Sequence, residues 1–229
     1  MADGYDALAP VYERVFGPEA AEASWRVIQQ LLTPELAPGA RVLDLCCGTG
    51  EISARLLGAG YRVTGVDRSD AMLQFARQRA PQAEFVNADI RAFSPRLRYG
   101  GAVCAYNSLP HVTEPHELGE VFTMVRRALL AGGCFVFDLY PEESFRARWH
   151  GGYRAGQCLL EARCHASSRL ASTKVYWPEG STELTIRRYG AGELLRLLRQ
   201  AGFGRVRRVS GGERMFWCCW ERSPAPRGG

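Results

Sequence analysis

The sequence predicts an α/β protein in which helices cover both faces of a parallel β-sheet, and three observations support this fold class. From Arg41 onward, short apolar runs alternate with segments of helical periodicity, as in proteins built from strand–helix–strand units. The runs 42–45 and 135–137 are nearly continuous in apolar residues, which is typical of strands buried on both faces. The chain has 229 residues, of which 46% are hydrophobic, so we expect a single core.

Five strands are predicted in the first 139 residues. They span residues 41–46, 61–67, 84–88, 101–107 and 133–139. Helices are expected at 51–57, where Gly58 ends the pattern, and over the amphipathic segment 114–130. A further helix carries Met72. Ser69 precedes it as an N-cap, because a serine hydroxyl accepts a hydrogen bond from the first turn of a helix. Crossovers between the parallel strands should be right-handed.

The pattern changes in the C-terminal half of the chain. Three short β-like segments predict a small antiparallel insertion, and they span 157–168, 172–177 and 182–188. A leucine-rich helix is expected at 193–200, with Gly202 in the position of a C-cap. The last two strands are predicted at 205–210 and 213–221, on either side of the hairpin signal at 211–212.

The charge balance does not favour a nucleic-acid partner. The chain has 29 basic and 24 acidic residues, a formal net charge of +5, and Lys174 is the one lysine. The arginines are spread through every segment. Their densest group, at Arg205, Arg207 and Arg208, is interpreted as a solvated strand face rather than a phosphate-binding site.

The spacing of the cysteines and the length of the apolar runs indicate the cellular compartment. None of the eight cysteines has C-x-x-C spacing, and all lie in apolar stretches, so we expect reduced core residues and neither a zinc site nor a dithiol redox site. The apolar runs are shorter than the roughly 18–20 residues of a membrane span, and the N-terminus lacks a basic region followed by an apolar stretch. A cytoplasmic protein is therefore expected.

A glycine-rich turn follows the first strand and precedes a helix. It carries Gly48 and Gly50, which lack the side chains that would separate a ligand from the backbone, and the helix that follows offers unpaired N–H groups. Asp67 ends the second strand, 23 residues after Asp44. An acidic residue at that strand end faces the first turn and can accept both hydroxyls of a ribose, which predicts a nucleoside ligand. The alternative is that Asp67 only caps the helix that begins near Ser69.

The phosphate-binding signals of the common nucleotide folds are missing. The third position of a G-x-G-x-x-G pattern is occupied by Ser53, and the sequence contains no G-x-x-x-x-G-K-[ST] run. The predicted nucleoside site therefore lacks the usual means of binding a pyrophosphate.

Taken together, these segments resemble the class I S-adenosylmethionine (SAM)-dependent methyltransferases. Residues 42–51 resemble motif I of that family, and the next two motifs are matched by 65–67 with Ser69 and Met72 and by 87–90. The N-terminal segment 5–12, with Trp25, resembles the helical lid of the small-molecule branch. Cys46 departs from the pattern, since glycine or alanine is common there. The resemblance covers about four-fifths of the chain, with the order and spacing of the motifs preserved.

The resemblance implies a Rossmann-like sheet of seven mostly parallel strands with helices on both faces, an antiparallel last strand and a small antiparallel β insertion. It implies a single domain over residues 1–222. Within it, 1–37 would form N-terminal lid helices and 141–188 an insertion on the acceptor side, while 223–229 would be a mobile tail.

The resemblance also implies the cofactor contacts. They are Tyr5, Trp25, Cys46, Gly48, Gly50, Asp67, Arg68, Met72, Asp89, Ile90, Asn107 and Ser108. Asp67 would hold the ribose hydroxyls. Arg68 and Met72 would flank the adenine, and Asp89 would accept a hydrogen bond from its amino group. Asn107 and Ser108 would lie near the methionine end of the cofactor and the acceptor, at the carboxyl end of a strand, where ligands of open α/β sheets bind.

Methyl transfer from SAM is an in-line displacement that requires a positioned nucleophile, an electron-rich surround for the sulfonium and, for some acceptors, a base. His111 is the candidate base and Tyr12 a candidate catalytic residue, with Tyr5, Trp25 and Tyr106 as further aromatic candidates for the surround. Each residue also has an alternative, purely structural role. His111 could be a hydrogen-bonding residue of a loop, Tyr5 and Tyr12 could pack a lid helix, and Trp25 could belong to the core. No cluster of metal ligands is expected.

The predicted function is transfer of a methyl group from SAM to a nitrogen or oxygen of a small-molecule acceptor, with nitrogen favoured. The segment 107–110 lacks the [DN]-P-P-[FY] pattern of enzymes that methylate exocyclic amines of nucleic-acid bases. Two alternatives stay open: a SAM-binding protein that acts through a partner without catalysis, and an NAD(P)-dependent oxidoreductase on a similar sheet. Neither the acceptor's identity nor the oligomeric state follows from the sequence.

Overall fold

The computed structural model describes residues 4–148, 150–164 and 168–221, so the tail predicted at 223–229 lies outside the described residues. The strands are β1 (Arg41–Leu45), β2 (Arg62–Asp67), β3 (Glu84–Asn87), β4 (Tyr99–Cys104), β5 (Leu129–Leu139), β6 (Gly151–Ala155), β7 (Cys158–Cys164), β8 (Leu170–Trp177), β9 (Gly180–Arg187), β10 (Phe203–Gly211) and β11 (Arg214–Glu221). The α-helices are α1 (Gly4–Val15), α2 (Gly17–Leu32), α3 (Glu51–Gly58), α4 (Asp70–Arg79), α5 (Pro115–Ala128), α6 (Glu142–Arg148) and α7 (Ala191–Gln200).

Seven strands form the main sheet in the order β10-β11-β5-β4-β1-β2-β3. The strands β1 to β5 are mutually parallel, and β11 runs antiparallel to both of its neighbours. The predicted fold class is therefore confirmed, including the antiparallel last strand. Because β1 lies between β2 and β4, the turns that follow these three strands meet at one edge of the sheet.

The core lies on both faces of the sheet, as predicted for a sheet with helices on each side. One cluster packs α5 and α7 against β4, β5 and β11, and there the Phe137 and Trp217 rings stack with centroids 5.8 Å apart. The cluster on the other face packs Ile28 and Leu32 of α2 and Ile52 of α3 against the same strands. All eight cysteines are free thiols, and most are buried, which agrees with their interpretation as reduced residues.

The antiparallel insertion is also confirmed, as a four-stranded sheet in the order β6-β7-β8-β9. Its first strand, β6, and the short helix α6 before it are additions to the predicted elements. Helix α1 packs on this small sheet. Leu8 and Val11 share an apolar cluster with Cys158, Leu160 and Val175.

The strand predicted at 101–107 ends earlier, at Cys104. The reason is a tight turn in which Tyr106 and Asn107 both adopt positive φ, at 65° and 56°. Neither residue is glycine, so their backbone conformation is sparsely populated and must be stabilised by its surroundings.

The arginine group of β10 is exposed on the edge of the main sheet, as interpreted from the sequence. The Arg205 guanidinium lies over the Trp220 ring, 3.9 Å from its centroid. Charged side chains on an edge strand oppose pairing with another chain. No helix among the described residues has the length and apolar character needed to cross a membrane.

Candidate active site

The glycine-rich turn after β1 has two glycines with different roles. Gly48 has φ of 53° and lines a cavity, and a Cβ added there would meet no atom within 4 Å. Gly50 has φ of 81°, and its Cβ would lie 2.9 Å from the Cα of Ala76 in α4. Gly50 is therefore required for helix packing. Gly50 is not among the residues that line the cavity, and its direct contact with a ligand stays a prediction.

Ser53, at the third position of the glycine pattern, forms a hydrogen bond to the first strand. Its hydroxyl donates a hydrogen bond of 2.6 Å to Oδ2 of Asp44 in β1. Burial raises the pKa of the Asp44 carboxyl to about 7, against the lowering effect of this hydrogen bond. A glycine there would leave the buried carboxyl without this donor, which explains why the dinucleotide pattern is not completed.

Asp67 points towards the glycine-rich turn, as predicted. The backbone N–H of Gly48 donates to its Oδ2 at 2.8 Å, and the N–H of Ser69 donates to its Oδ1 at 2.9 Å. The capping role belongs to Ser69, whose Oγ accepts from the N–H of Met72 at 3.1 Å. Asp67 also lines the cavity, so its carboxylate is positioned for a ligand as well as for the turn.

The first cavity lies over this turn and has an empty volume of about 900 Å³ that opens to solvent. Its lining residues are Tyr5, Tyr12, Gly17, Cys46, Cys47, Gly48, Thr49, Glu51, Asp67, Arg68, Met72, Ala88, Asp89, Ile90, Arg91, Tyr106, Ser108, His111 and Val112. The cavity therefore brings most of the predicted cofactor residues together.

Two other predicted cofactor residues lie elsewhere. Trp25 is on α2 and packs against the core cluster on that face of the main sheet, because the helix directs it to the sheet rather than to the turn. Its position matches the alternative of a core tryptophan. Asn107 lines a second cavity instead, since its strained turn directs the side chain away from the first. Its Oδ1 accepts the backbone N–H of Tyr140 at 3.1 Å.

Asp89 lines the first cavity with a charged partner that the sequence reasoning missed. The Arg91 guanidinium bonds both carboxylate oxygens, at 3.0 and 2.7 Å, and also pairs with Glu117 at 3.1 Å. The hydrogen bonds from Arg91 lower the pKa of Asp89, so the carboxylate stays ionised and able to accept further hydrogen bonds. No sequence pattern marks Arg91, because its partner Glu117 lies on the distant helix α5.

Helix α1 covers the first cavity and is held at both ends. Near its start, Asp6 accepts a hydrogen bond of 2.6 Å from the Ser69 hydroxyl. Near its end, Glu13 pairs with Arg79 of α4, which also pairs with Glu51 at 2.9 Å and donates to the carbonyl of Thr49 in the glycine-rich turn. The lid predicted from the N-terminal segment is thus tied to the helices that flank the turn.

The second cavity adjoins the first and lies between α1 and the small sheet, with an empty volume of about 810 Å³. Its lining residues are Tyr5, Leu8, Tyr12, Phe16, Tyr106, Asn107, His111, Tyr140, Tyr153, Leu160, Ala162, Thr173, Val175, Leu184 and Ile186. Four side chains line both cavities, namely Tyr5, Tyr12, Tyr106 and His111. We refer to these four residues as the junction.

The hydrogen bonds of His111 define its tautomer. Its Nδ1 lies 3.2 Å from the carbonyl oxygen of Thr185, and because a carbonyl only accepts, Nδ1 carries the hydrogen. Nε2 therefore accepts from the Tyr5 hydroxyl, 3.0 Å away. Burial, aided by the nearby positive charge of Arg68, lowers the pKa of His111 to about 4. The imidazole is neutral at physiological pH.

The three junction tyrosines keep their hydroxyl protons. Burial raises the pKa of Tyr12 to about 12, and it also raises the pKa values of Tyr5 and Tyr106. The Tyr5 ring meets Tyr12 and His111 edge-on, with centroids 6.3 and 5.4 Å away. The junction thus presents neutral, electron-rich rings and phenolic hydroxyls.

We expect the variant His111→Gln to lose less stability than the parent protein between pH 7 and pH 5. The folded protein keeps His111 neutral down to about pH 4, whereas the unfolded chain binds a proton at this residue near its ordinary pKa of about 6.5. Protonation of residue 111 in the unfolded chain therefore lowers the free energy of unfolding of the parent in this window, and this contribution is absent from the variant. Urea unfolding at both pH values should show the difference in free energy of unfolding shifting by about 1–2 kcal/mol in favour of the variant. A pH-independent difference would contradict the buried neutral state.

A buried ion pair supports the turn that carries Tyr106. Asp138 of β5 is fully buried, and its carboxylate accepts the backbone N–H groups of Tyr106 at 2.8 Å and of Asn107 at 3.3 Å. Arg214 of β11 pairs with the same carboxylate at 2.8 Å and donates to the Ser24 hydroxyl of α2 at 2.6 Å. These contacts stabilise the two positive φ angles and direct Tyr106 into the junction.

Comparison with known proteins finds methyltransferases. A family model described as a methyltransferase domain matches residues 42–133. The chain is 32% identical over 216 residues to the 2-phytyl-1,4-naphtoquinone methyltransferase of Thermosynechococcus vestitus (strain NIES-2133 / IAM M-273 / BP-1). That alignment covers 89% of this chain and 90% of the relative.

Two further comparisons differ in extent. YqeM of Bacillus subtilis (strain 168), a protein named as a methyltransferase, is 33% identical over 140 residues, and the alignment covers 59% of this chain and 55% of YqeM. The chain thus matches only about half the length of that relative. The solved structure of the CcbJ methyltransferase from Streptomyces caelestis superposes with a TM-score of 0.81 at 18% identity, over 97% of this chain and 99% of that one, which shows a shared fold.

Proposed function

The chain belongs to the class I SAM-dependent methyltransferases, and from this membership we propose that it transfers a methyl group from SAM to a nitrogen or oxygen of a small-molecule acceptor. The observation that carries the proposal is the pair of adjoining cavities that share the four junction side chains. One cavity holds the cofactor, the other holds the acceptor, and the reacting atoms meet at the junction.

The residues of the first cavity fit SAM. Asp67 would accept the ribose hydroxyls, Met72 and Ile90 supply apolar surface for the adenine, and Asp89 is ionised and can accept from the adenine amino group. Glu51 lies in the first turn of α3 and lines the cavity where a dinucleotide fold binds its pyrophosphate. Glu51 is paired with Arg79, so this position offers a diphosphate no net positive charge, which disfavours the nicotinamide-dependent alternative.

When bound, SAM supplies an electrophilic methyl group: its carbon–sulfur bond breaks with both electrons left on the sulfur, the acceptor lone pair forms the new bond, and the acceptor loses a proton. The protein's part is to position the acceptor, exclude water and receive that proton. The rings of Tyr5, Tyr12 and Tyr106 surround the junction and offer electron-rich faces to a cation.

The base role predicted for His111 acts through Tyr5. Because the Tyr5 hydroxyl donates to Nε2 of His111, its oxygen can accept a hydrogen bond from the acceptor O–H or N–H. When the Tyr5 oxygen takes up a proton from the acceptor, Tyr5 passes its own hydroxyl proton to Nε2 of His111. The carbonyl of Thr185 then stabilises the protonated ring at Nδ1. Tyr5 is thus the catalytic residue, and His111 is the residue that positions and polarises it.

Calorimetry with SAM and S-adenosylhomocysteine (SAH), followed by transfer of a labelled methyl group to a panel of small hydroxyl and amine acceptors, tests the proposal. Tyr5→Phe and His111→Gln should each lower kcat about 10–100-fold for hydroxyl acceptors, with a much smaller effect on KM for SAM. The defect should be smaller for acceptors whose hydroxyl has a lower pKa, since these give up the proton more readily. SAM binding without transfer to any acceptor would favour the non-catalytic alternative, and full turnover by His111→Gln would remove the relay.

We propose two further properties on the same basis. Eight free thiols fit a reducing compartment such as the cytoplasm. The acceptor cavity lies between α1 and the small sheet, and none of its described lining residues is lysine or arginine, so it offers no charge to a phosphate backbone and a nucleic-acid acceptor is disfavoured. A protein in which a large share of these cysteines is paired on isolation would contradict the first property.

A further inference from the structure

The second cavity differs from the first in its charge. The first is lined by Glu51, Asp67, Arg68, Asp89 and Arg91, all of them ionisable. Among the described residues that line the second cavity there is no aspartate, glutamate, lysine or arginine, and its one imidazole, that of His111, has a depressed pKa and is neutral.

The alternation of the small sheet produces this difference. Ala162, Thr173 and Leu184 lie opposite one another on β7, β8 and β9, and all three line the second cavity. One position along each strand, the neighbouring row consists of Glu161, Lys174 and Glu183. Successive side chains of a strand point to opposite faces, so this charged row lies on the outer face of the sheet.

The side chains of this charged row have their partners outside the cavity. Lys174 lies 3.9 Å from Glu183, with about half of each side chain exposed, and Glu161 accepts from the Tyr176 hydroxyl at 3.4 Å. A carboxylate, phosphate or ammonium placed in the second cavity would therefore lose its hydration without gaining an opposite charge from the described lining. Burial of an unpaired ion is strongly unfavourable.

One polar group of the junction has no hydrogen-bond partner in the part of the chain that the structure describes. The Tyr106 hydroxyl is buried and makes no hydrogen bond to any described residue. A buried hydroxyl without a partner is destabilising, and a hydrogen bond from a ligand or an ordered water would remove this cost. The Tyr106 ring lines both cavities, close to the point where the acceptor meets the cofactor, although the hydroxyl oxygen itself is not exposed to either cavity.

We propose, building on the function proposed above, that the acceptor is an uncharged, mainly apolar molecule that presents a single hydroxyl or unprotonated amine at the junction. The aliphatic and aromatic walls bind its body, and the absence of a fixed positive charge among the described lining residues selects against acids and phosphates. An amine that enters this cavity does so in its neutral form, because desolvation disfavours the ammonium.

A matched pair of fluorescent probes tests the charge selection without turnover. N-phenyl-1-naphthylamine is neutral, and 8-anilinonaphthalene-1-sulfonate has a closely similar ring system with an added sulfonate. With the SAH-loaded protein, we expect the neutral probe to bind with a Kd at least tenfold lower than that of the sulfonate. Equal or tighter binding of the sulfonate, or no binding of the neutral probe, would overturn the proposal.

Two substitutions locate the effect in the second cavity. Thr173→Arg places a cation among the lining residues, so it should weaken the neutral probe at least tenfold and strengthen the sulfonate. The control Ser181→Arg adds the same side chain at an exposed position of β9 and should leave both Kd values within twofold. SAH affinity, measured by calorimetry, should stay unchanged in both variants. An unchanged ratio of the two Kd values in Thr173→Arg would contradict the assignment of this cavity.

Turnover separates this proposal from the function on which it rests. Naphthol should be methylated at least tenfold faster, in kcat/KM, than a naphthol sulfonate, and aniline faster than aminobenzoate. Methylation of the charged acceptors alone would overturn the acceptor class and leave the methyltransferase function intact. Failure to bind SAM or SAH would overturn the function, and the probe ratio, which can be measured without SAH, would still report on the cavity.

Discussion

Replacement of Asp67 by alanine is expected to weaken SAH binding by at least 100-fold. The carboxylate is positioned at the cavity by the N–H groups of Gly48 and Ser69, and in the proposed complex it accepts the two ribose hydroxyls. Hydrogen bonds to a charged group contribute roughly 1.5–3 kcal/mol each, so two of them correspond to about 10²–10⁴ in affinity. Isothermal titration calorimetry with SAH measures the change directly.

Asp67→Asn should weaken SAH binding by an intermediate factor, because one oxygen is retained while the negative charge is lost. The matched control is Asp70→Asn, which changes an exposed carboxylate only three residues away. Asp70 pairs with Arg77 at 3.2 Å on the surface of α4 and does not line the cavity, so the affinity should stay within twofold. An Asp67→Ala protein that binds SAH within threefold of the parent would remove Asp67 from the cofactor site.

The parts of the fold that the sequence predicts are those determined by local pattern. Strand β1 is a short apolar run followed by glycines, and Ser69 caps α4 as its hydroxyl chemistry requires. The hairpin predicted from the glycine pair forms one residue later than expected, with Gly211 paired to Arg214 and the turn at 212–213. Asp67 is predictable for the same reason, since a strand end next to a glycine-rich turn in a parallel sheet has one orientation.

The unpredicted parts depend on contacts between distant segments. Gly50 resembles a ligand-binding glycine in sequence, but its role is set by Ala76 in α4. Trp25 belongs to the core because α2 packs on the main sheet. The turn at Tyr106 and Asn107 has no glycine to mark its positive φ angles, since Asp138, more than thirty residues later, supplies the hydrogen bonds that stabilise it. Patterns of spacing do not report such partners.

Arg214→Met is expected to lower the free energy of unfolding by about 3–5 kcal/mol. Asp138 is fully buried, and Arg214 is the cation paired with it, so the substitution leaves a buried carboxylate without its opposite charge. The variant also removes the hydrogen bond to Ser24 that ties α2 to the sheet, and the guanidinium that lies 5.6 Å from the Tyr106 ring centroid. Urea unfolding at pH 7 measures the loss.

The double variant Asp138→Asn/Arg214→Met should recover a large part of this stability, because it leaves no buried carboxylate without an opposite charge. The asparagine oxygen can still accept a backbone N–H of the turn. As a control, Arg26→Met removes an arginine whose side chain is 76% exposed and which pairs with Glu22, so it should change stability by only about 0.5 kcal/mol. If Arg214→Met proved as mild as Arg26→Met, the ion pair would not be what holds Tyr106 at the junction. If instead the double variant recovers stability but not turnover, the pair contributes to catalysis by fixing the backbone of the turn, beyond its contribution to folding.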